Sequence, residues 1–490
     1  MVPKINKKNN LQLSLTILAF MGCLIYILYK AFHLSFTHDE SYTYLHYVHQ
    51  GFMDIISYKT PYTNNHILNT VLIKYCEELL GSAEIVLRLP NILAFIVYSV
   101  FAILLLQKKC PDLLFPFYLL LTIHPFLLEF FALARGYGLS IGFLMMSLYF
   151  IRQYLTTPKP GYLIWFNVAA FLAVMSNFSL LNYYVAALIA FNLYSYLQVR
   201  TSHNEIQSFT FFKLNKINII SVLISGMVLY EPLRRLSKKG LLDFGGKNGF
   251  LADTVGSSID DLFYEMAAPF LLSVLIKVFI VCVCFGVLIL IFAKLMKRNS
   301  IFFERYSFLV FVNVTLFLIV FITQIQHLLL GNDFYVHRFA LFFYPLFILN
   351  LIVILNYVYT KKRKFSVFIS YSFAGLLLFN FYVNYNLKHF KEWRYDKETK
   401  MVMQKLISEH EKDRGKQVQL GINWLFEPGT NFYRYTWDLN WMIPTHRKGI
   451  SGGEDYWYLF GNDPEFNKLK TGEILFENKE TDVFLLKNVE

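Results

Sequence analysis

Two adjacent carboxylates, Asp39 and Glu40, stand just after the first long apolar segment, in the octapeptide THDESYTY that starts at Thr37. A carboxylate at a partly desolvated interface can remove a proton from a hydroxyl, or hold a metal or cationic group. Thr37 and Glu40 also have the spacing of a helix-capping box. Capping explains that pair but not Asp39 or the histidines around it, so the residues leave chemistry and capping as equal alternatives.

A second polar group, Asn64-Asn65-His66, falls on one turn of a predicted helix. Its side chains could donate and accept hydrogen bonds to a sugar or a phosphate, and we interpret them as substrate-binding. Either asparagine could instead cap the following helix. His66 with Asp39 could also bind a divalent metal, but two ligands specify no ion, so no metal site or cofactor is assigned.

Two arginines follow apolar segments at the same predicted side of the protein. Arg135 and Tyr137 come after Glu129, and Arg338 comes after His337. An arginine can clamp a phosphate through its planar fork of N–H groups. The alternatives are that Glu129 and Arg135 pair with each other, or that the arginines anchor the chain at a membrane interface.

The elements that must position these residues are apolar. The 490 residues are 56% hydrophobic and only 16% charged, with a mean hydropathy of +0.42, which is typical of a multi-pass membrane protein. A net charge of +12 suits short loops against anionic lipid, and nothing in the pattern indicates a nucleic acid. The five cysteines show no CxxC spacing, which argues against a disulfide framework or a zinc site.

About 20 apolar residues cross a bilayer. This criterion predicts an all-α polytopic protein with about eleven transmembrane helices, near 11–32, 88–107, 112–130, 137–155, 161–178, 181–199, 217–233, 267–294, 306–327, 338–359 and 364–386. The stretch 112–155 could also form a hairpin.

Charge predicts the orientation of these helices. With a cytoplasmic N-terminus, the cytoplasmic connections are all basic, as the positive-inside rule requires; they contain Lys108, Lys109, Lys159, Arg200, Lys213, Lys216, Lys294, Lys297, Arg298 and Lys361 to Lys364. A transmembrane domain over 1–387 then carries a long outer loop at 33–87 with helices along the surface. Residues 388–490 are predicted to form a small extracytoplasmic α/β domain, and the protein is assigned to the plasma (inner) membrane.

The order of these motifs resembles the GT-C superfamily of membrane glycosyltransferases, which includes protein O-mannosyltransferases and the aminoarabinose transferase of lipid A. The resemblance lies in the acidic pair after the first span, the Asn/His stretch, an Arg-Leu-Pro sequence entering the second span, a Pro-x-x-x-Glu segment leading to Arg-x-Tyr, and an arginine before a late span. The residues that carry it are Asp39, Glu40, Asn64, Asn65, His66, Arg88, Leu89, Pro90, Pro125, Glu129, Arg135, Tyr137, Arg338 and Pro345.

This resemblance implies a polyprenyl-phosphate-linked sugar donor and an acceptor that is a lipid, a glycan or a protein. Asp39 would be the general base of an inverting transfer, and Glu40 would orient a neighbour. Arg338, with Arg135, would offset charge on the departing phosphate. The alternative function is a transporter or flippase of a lipid-linked saccharide, which should place ionisable residues near the bilayer midplane in two repeated halves. The oligomeric state is not indicated.

Overall fold

The computed structural model describes residues 7–107, 111–202, 205–241, 244–297, 300–412, 415–469 and 472–489. Seven helices of this part of the chain are long and apolar enough to cross a membrane: Asn10–His33, Glu84–Leu106, Phe178–Tyr196, Lys216–Lys238, Phe270–Met296, Ser307–Leu330 and Arg363–Val383. They coincide with seven of the predicted spans, and the other four fall on helices below that criterion. Of the residues used for the orientation, Lys108, Lys109 and Arg298, and the side chains of Arg200 and Lys213, lie outside the described part.

The first helix is followed by a loop filled with short helices. The elements up to residue 106 are α1 (Lys7–His33), α2 (His38–Thr43), a π-helical turn (Tyr44–Val48), α3 (Phe52–Ile56), α4 (Ile67–Leu80) and α5 (Glu84–Leu106). We call the end of the bundle that carries residues 33–87 the loop face.

The predicted third span, 112–130, is not one helix. A 3-10 turn (Pro111–Leu113) leads into α6 (Leu114–Thr122), which stops before α7 (Pro125–Glu129). Pro125 forces the preceding residue out of the helical region, and His124 accordingly has φ −138° and ψ 113°. The break turns the chain towards α8 (Gly136–Thr156) at the loop face.

The helices that follow complete the bundle. They are α9 (Pro160–Ser176), a 3-10 turn (Phe178–Leu180), α10 (Leu181–Ser202), α11 (Glu205–Lys238), a π-helical turn (Phe250–Val255), α12 (Gly256–Leu262), α13 (Phe270–Met296), α14 (Ser300–Arg305), α15 (Ser307–Leu330), a 3-10 turn (His337–Phe339), α16 (Phe343–Tyr359) and α17 (Arg363–Val383). Two short antiparallel strands, β1 (Gly245–Gly246) and β2 (Phe334–Tyr335), pair the loop before α12 with the segment before His337.

The C-terminal region contains a four-stranded sheet. Its elements are a 3-10 segment (Lys391–Asp396), α18 (Thr399–His410), β3 (Leu420–Ile422), a 3-10 turn (Trp424–Phe426), α19 (Glu427–Thr436), β4 (Tyr456–Phe460), α20 (Phe466–Leu469), β5 (Glu473–Asn478) and β6 (Val483–Lys487). The strand order is β3-β4-β6-β5. β3 runs parallel to β4, and the other pairs are antiparallel.

This region shares a core with the loop that follows α1. Phe36 and Tyr44 of the loop belong to the same buried apolar cluster as Met403 and Phe432 of the C-terminal region. The rings of Phe36 and Phe432 stack with centroids 4.2 Å apart. The C-terminal region therefore lies on the loop face, directly beside α2.

Candidate active site

Glu40 connects several elements of the loop face. Arg88 of α5 donates two parallel hydrogen bonds to it, of 2.9 and 2.8 Å, and both side chains are fully buried. Glu40 also accepts from the backbone N–H of Thr37 at 2.9 Å and of Ala134 at 2.6 Å. The Thr37 bond is the glutamate half of the capping box that the sequence predicts. The remaining N–H groups of Arg88 hold carbonyls at the end of α1, so this ion pair joins α1, α2, α5 and the segment before α8.

Asp39 has a different environment, although it is the next residue. Its Oδ2 atom lies 3.5 Å from Nη2 of Arg135 and 3.7 Å from Nη2 of Arg338. Its Oδ1 atom accepts a hydrogen bond of 3.3 Å from the Asn64 amide. Oδ2 is buried and accepts no hydrogen bond from the described residues. The structure thus brings four of the predicted site residues together around one carboxylate oxygen that accepts no hydrogen bond from the described residues.

The charge of Asp39 is stabilised by its neighbours. Burial disfavours the ionised carboxylate, but the positive charges of Arg135 and Arg338 outweigh burial and lower the pKa of Asp39. The group is therefore ionised at neutral pH and can accept a proton.

Arg135 and Asn64 hold this arrangement in place. Arg135 donates to the hydroxyl of Thr43 at 3.0 Å and to the backbone carbonyl of Asn64 at 3.2 Å. The Thr43 hydroxyl also bonds the carbonyls of Asp39 and Asn64, at 2.8 and 3.1 Å. The arginine is 1% exposed, so its guanidinium is a fixed positive charge facing α2.

His66 faces the same centre from α4. Its Nδ1 atom lies 3.0 Å from the Ser176 carbonyl at the end of α9, and its Nε2 atom is buried without a hydrogen-bond partner among the described residues. Burial, assisted by Arg135, holds the pKa of His66 well below its ordinary value, so the ring is neutral and Nε2 is an acceptor. Its ring packs edge-on against Tyr137, with centroids 5.0 Å apart.

Gly136 makes this packing of α8 possible. A Cβ atom at this position would lie 1.9 Å from the Ser176 carbonyl oxygen and 2.8 Å from Cβ of His66. Only glycine therefore fits between Arg135 and Tyr137 while α8 stays against His66.

Asn65 supports the loop instead. Its amide nitrogen donates to the Ile55 carbonyl at 3.0 Å, and its amide oxygen accepts from the Thr70 hydroxyl at 3.0 Å. Both polar ends of the side chain are thus used within the first loop.

Arg338 connects the site to the C-terminal region. Its guanidinium bonds the Glu392 carboxylate and lies over the rings of Trp393 and Phe339, 5.3 and 5.4 Å from their centroids. Burial disfavours its charge, but Glu392 and Asp39 outweigh burial and raise the pKa of Arg338. Two carboxylates from distant parts of the chain therefore share one arginine.

His337 points away from Arg338, towards α12. Its Nδ1 atom lies 3.0 Å from Asp261, which also accepts a 2.7 Å bond from Lys391. The bond to Asp261 raises the pKa of His337. The backbone N–H of His337 donates to Ser257 at 3.1 Å, so this residue ties α12 to the arginine.

An apolar cavity of about 630 Å³ begins at α12 and runs between α13, α16 and α17. Its lining includes Ser258, Ile259, Phe279, Tyr344, Phe373 and Asn380. Ser258 of this lining follows Ser257, which accepts from the backbone N–H of His337, the residue before Arg338. The composition of the cavity fits an acyl or isoprenoid chain.

Sequence reasoning missed the contribution of residues 391–447. Glu392 bonds Arg338, and Asp396 accepts a 2.6 Å bond from the His38 backbone next to Asp39. Burial raises the pKa of Asp396 well above its ordinary value. These residues stand more than 350 positions from Asp39, and no spacing rule relates them to it. The one signal of a packed surface in the sequence is that residues 388–490 contain five of the six tryptophans: Trp393, Trp424, Trp437, Trp441 and Trp457.

No group of three or more His, Cys, Asp or Glu side chains in the described ranges could hold a metal ion. His66, the other half of the metal pair that the sequence left open, directs Nδ1 at a backbone carbonyl, and its Nε2 atom has no hydrogen-bond partner among the described residues.

No family model and no curated protein matches the chain. Two solved structures are similar to it: ArnT from Cupriavidus metallidurans in the apo state, with a TM-score of 0.48, and the same protein bound to undecaprenyl phosphate, with a TM-score of 0.46. In both cases the identity is 10%, and the match covers 96% of this chain and 98% of the other. Because the TM-scores are below 0.5, the function proposed below rests on the contacts of the site.

Proposed function

We propose that this chain is a membrane glycosyltransferase that moves a sugar from a polyprenyl-phosphate donor to an acceptor hydroxyl. One observation carries the proposal: a buried, ionised carboxylate oxygen of Asp39 faces two arginines and accepts no hydrogen bond from the described residues. Such a group can accept a proton, while the arginines beside it can bind a phosphate.

The donor would use the cavity and Arg338 together. Its isoprenoid tail would lie in the apolar cavity between α13, α16 and α17. Its phosphate would lie at Arg338, which is within reach of the cavity through His337 and Ser257. The anomeric carbon would then face Asp39, since Arg338 Nη2 is 3.7 Å from Oδ2.

The reaction is a single displacement with inversion. The acceptor oxygen bonds to the anomeric carbon as the bond from that carbon to the phosphate oxygen breaks, and the polyprenyl phosphate leaves with the bonding electrons. Asp39 takes the hydroxyl proton. Its lowered pKa makes it a weak base, so it accepts the proton late, when the attacking oxygen has become strongly acidic. Arg338 and Arg135 stabilise the growing charge of the phosphate.

We place this reaction on the outer face of the plasma membrane, with the N-terminus in the cytoplasm. The support is the positive-inside distribution of lysine and arginine in the connections at the other end of the helices. The loop face, which carries Asp39, would then be extracytoplasmic together with the C-terminal region.

The test is Asp39→Asn in purified protein reconstituted in nanodiscs. Lipid-linked sugars and acceptors extracted from a deletion strain serve as substrates, and mass spectrometry follows the release of polyprenyl phosphate. We expect a loss of about 10²–10⁴-fold, the usual contribution of a positioned base. Asp54→Asn is the matched control, because Asp54 lies in the same loop but is exposed and paired with Lys59 at 3.1 Å.

Two results would contradict the proposal. Full activity of the Asp39→Asn protein would remove Asp39 as the base. Movement of an intact lipid-linked sugar across the membrane by wild-type protein, with no release of polyprenyl phosphate, would favour the flippase alternative.

A further inference from the structure

A second surface begins beside Asp39. It is formed by Tyr42 of α2, Tyr62 of the first loop, and Trp424 and Arg447 of the C-terminal region. We call it the aromatic cleft. Asp39 and Tyr42 are three residues apart on α2 and so project from one face of the helix.

The members of the cleft contact one another in a continuous row. The rings of Tyr62 and Tyr42 lie 5.2 Å apart. The Arg447 guanidinium is 5.8 Å from the centroid of Tyr42 and 5.6 Å from that of Trp424. Trp424 in turn meets the ring of His38 edge-on at 6.2 Å. The row therefore ends at the residue adjacent to Asp39.

These side chains are open to solvent. Trp424 is 52% exposed and Tyr62 is 41% exposed. Isolated exposed aromatics are ordinary on protein surfaces. Exposed rings contribute little to the buried core, so packing alone does not explain why these rings form a contiguous row that ends beside Asp39.

The polar groups of the cleft are held among the rings. The Arg447 guanidinium lies over Tyr42 and Trp424 and donates to Glu427 at 3.2 Å, and Glu427 also accepts from Asn431 at 2.8 Å. Nη2 of Arg447 lies 3.4 Å from Nε2 of His38. The cleft thus offers the exposed rings of Trp424 and Tyr62 beside fixed donors and acceptors.

We propose that the aromatic cleft binds the acceptor, and that the acceptor is a saccharide. A pyranose ring presents a face of C–H bonds that stacks on an aromatic ring, and hydroxyls around its edge that meet groups such as Arg447 and Glu427. This inference rests on the proposed function, because it places the acceptor hydroxyl at Asp39 opposite the donor phosphate at Arg338. The acceptor sugar could come from a free glycan or from the headgroup of a glycolipid.

Direct binding tests the cleft without turnover. Asp39→Asn protein in nanodiscs is titrated with three fractions of a deletion-strain envelope: oligosaccharides released by mild acid, intact glycolipids, and peptides. Saturation-transfer NMR reports the bound sugars or peptides. We expect sugar signals, with Trp424→Ala and Arg447→Gln each weakening Kd at least tenfold. Binding of the oligosaccharides identifies a glycan acceptor, and binding of the intact glycolipids alone identifies a glycolipid headgroup.

Tyr435→Ala is the matched control, because Tyr435 is an equally exposed ring of the same region, at 52%, that packs on His49 instead. The Tyr435→Ala protein should bind the sugar with the same Kd as the protein with an unmodified cleft. Unchanged affinity in the Trp424 and Arg447 variants would overturn the inference, as would binding of the peptide fraction alone.

Kinetics separate this inference from the proposed function. In protein that retains Asp39, Trp424→Ala should raise the KM for the acceptor about tenfold and change kcat much less. If Asp39→Asn abolishes transfer but the acceptor KM is unaffected by Trp424→Ala, the cleft assignment fails alone. If sugars bind the cleft but wild-type protein releases no polyprenyl phosphate from any fraction, the glycosyltransferase assignment fails and the cleft remains a saccharide site.

Discussion

Glu40→Gln is expected to destabilise the protein strongly, whereas Asp39→Asn is expected to destabilise it less. The substitution at Glu40 keeps the shape of the side chain but removes its charge. Arg88 would then be a fully buried guanidinium without a carboxylate partner. Adjacent acids in one short helix would thus differ in what they contribute, one to folding and one to chemistry.

The contacts set the two magnitudes. Removing one partner of a buried, bidentate ion pair costs about 3–5 kcal/mol, because the remaining charge is desolvated and uncompensated. Asp39 makes ion contacts of 3.5 and 3.7 Å and accepts one hydrogen bond, from Asn64 at 3.3 Å. Its two arginines keep other partners, Thr43 and Glu392. Arg135 nevertheless loses its carboxylate, so the loss at Asp39 is about 1–3 kcal/mol, below that at Glu40 because the ion contacts of Asp39 are longer and not bidentate.

Unfolding in mixed detergent micelles with increasing SDS, followed by near-UV circular dichroism, measures the difference. The transition of Glu40→Gln should move to much lower SDS than that of Asp39→Asn. The double variant Glu40→Gln/Arg88→Met should recover only part of the loss, because Arg88 also holds the carbonyls of Ala31, Leu34 and Ser35 at 2.8 to 2.9 Å. A Glu40→Gln protein that unfolds like wild type but has lost transfer would refute the reasoning and place Glu40 in the chemistry.

Three other results are expected. Glu392→Gln frees Arg338 from one of its two carboxylates, so undecaprenyl phosphate should bind roughly fivefold tighter, about 1 kcal/mol, in a fluorescence titration; weaker binding would show that Glu392 positions the arginine. Gly136→Ala should abolish the monodisperse peak in size-exclusion chromatography because its Cβ would overlap a carbonyl oxygen at 1.9 Å, whereas Gly161→Ala, with open space around it, should not. The pKa of Asp39 is lowered, so its stabilising charge is present above the ordinary aspartate pKa and is lost only as the pH falls through the folded value. The transfer rate should accordingly show no acidic decline due to Asp39 between pH 7 and about pH 4, and an acidic decline centred within that interval would contradict the ionised state assigned to Asp39.

The sequence predicted a mostly helical, multi-pass protein, and seven of the eleven predicted spans fall on helices long and apolar enough to cross a membrane, because a bilayer demands long apolar segments. The predicted orientation placed Asp39, Arg135 and Arg338 on one side of the membrane, but no spacing rule predicted the contact of Asn64 with Asp39. The break before Pro125 was missed, because the apolar run over 112–130 continues through a local backbone restriction that hydropathy does not measure.

The part played by the C-terminal region could not be predicted in the same way. Glu392 and Trp393 reach Arg338 because the region docks on the first loop through buried rings such as Phe36 and Phe432. Docking of this kind depends on the three-dimensional shape of both surfaces, not on spacing along the chain. Asn65 shows that neighbours in sequence can have different contacts. It adjoins Asn64, which bonds Asp39, but its own amide donates to the backbone carbonyl of Ile55.

His38 and Glu40, the two neighbours of Asp39, together fix the position of this proposed base. His38 is held from the C-terminal side, by Asp396 at its backbone N–H and by the Leu425 carbonyl at 2.7 Å from Nδ1. Glu40 is held from the opposite side by Arg88. Because both neighbours are anchored by elements far apart in sequence, the backbone of Asp39 is fixed while its Oδ2 atom accepts no hydrogen bond from the described residues. A rigid carboxylate with one oxygen that accepts no hydrogen bond suits the proposed role of Asp39 as a proton acceptor, and the C-terminal region contributes to that rigidity through Asp396 and Leu425.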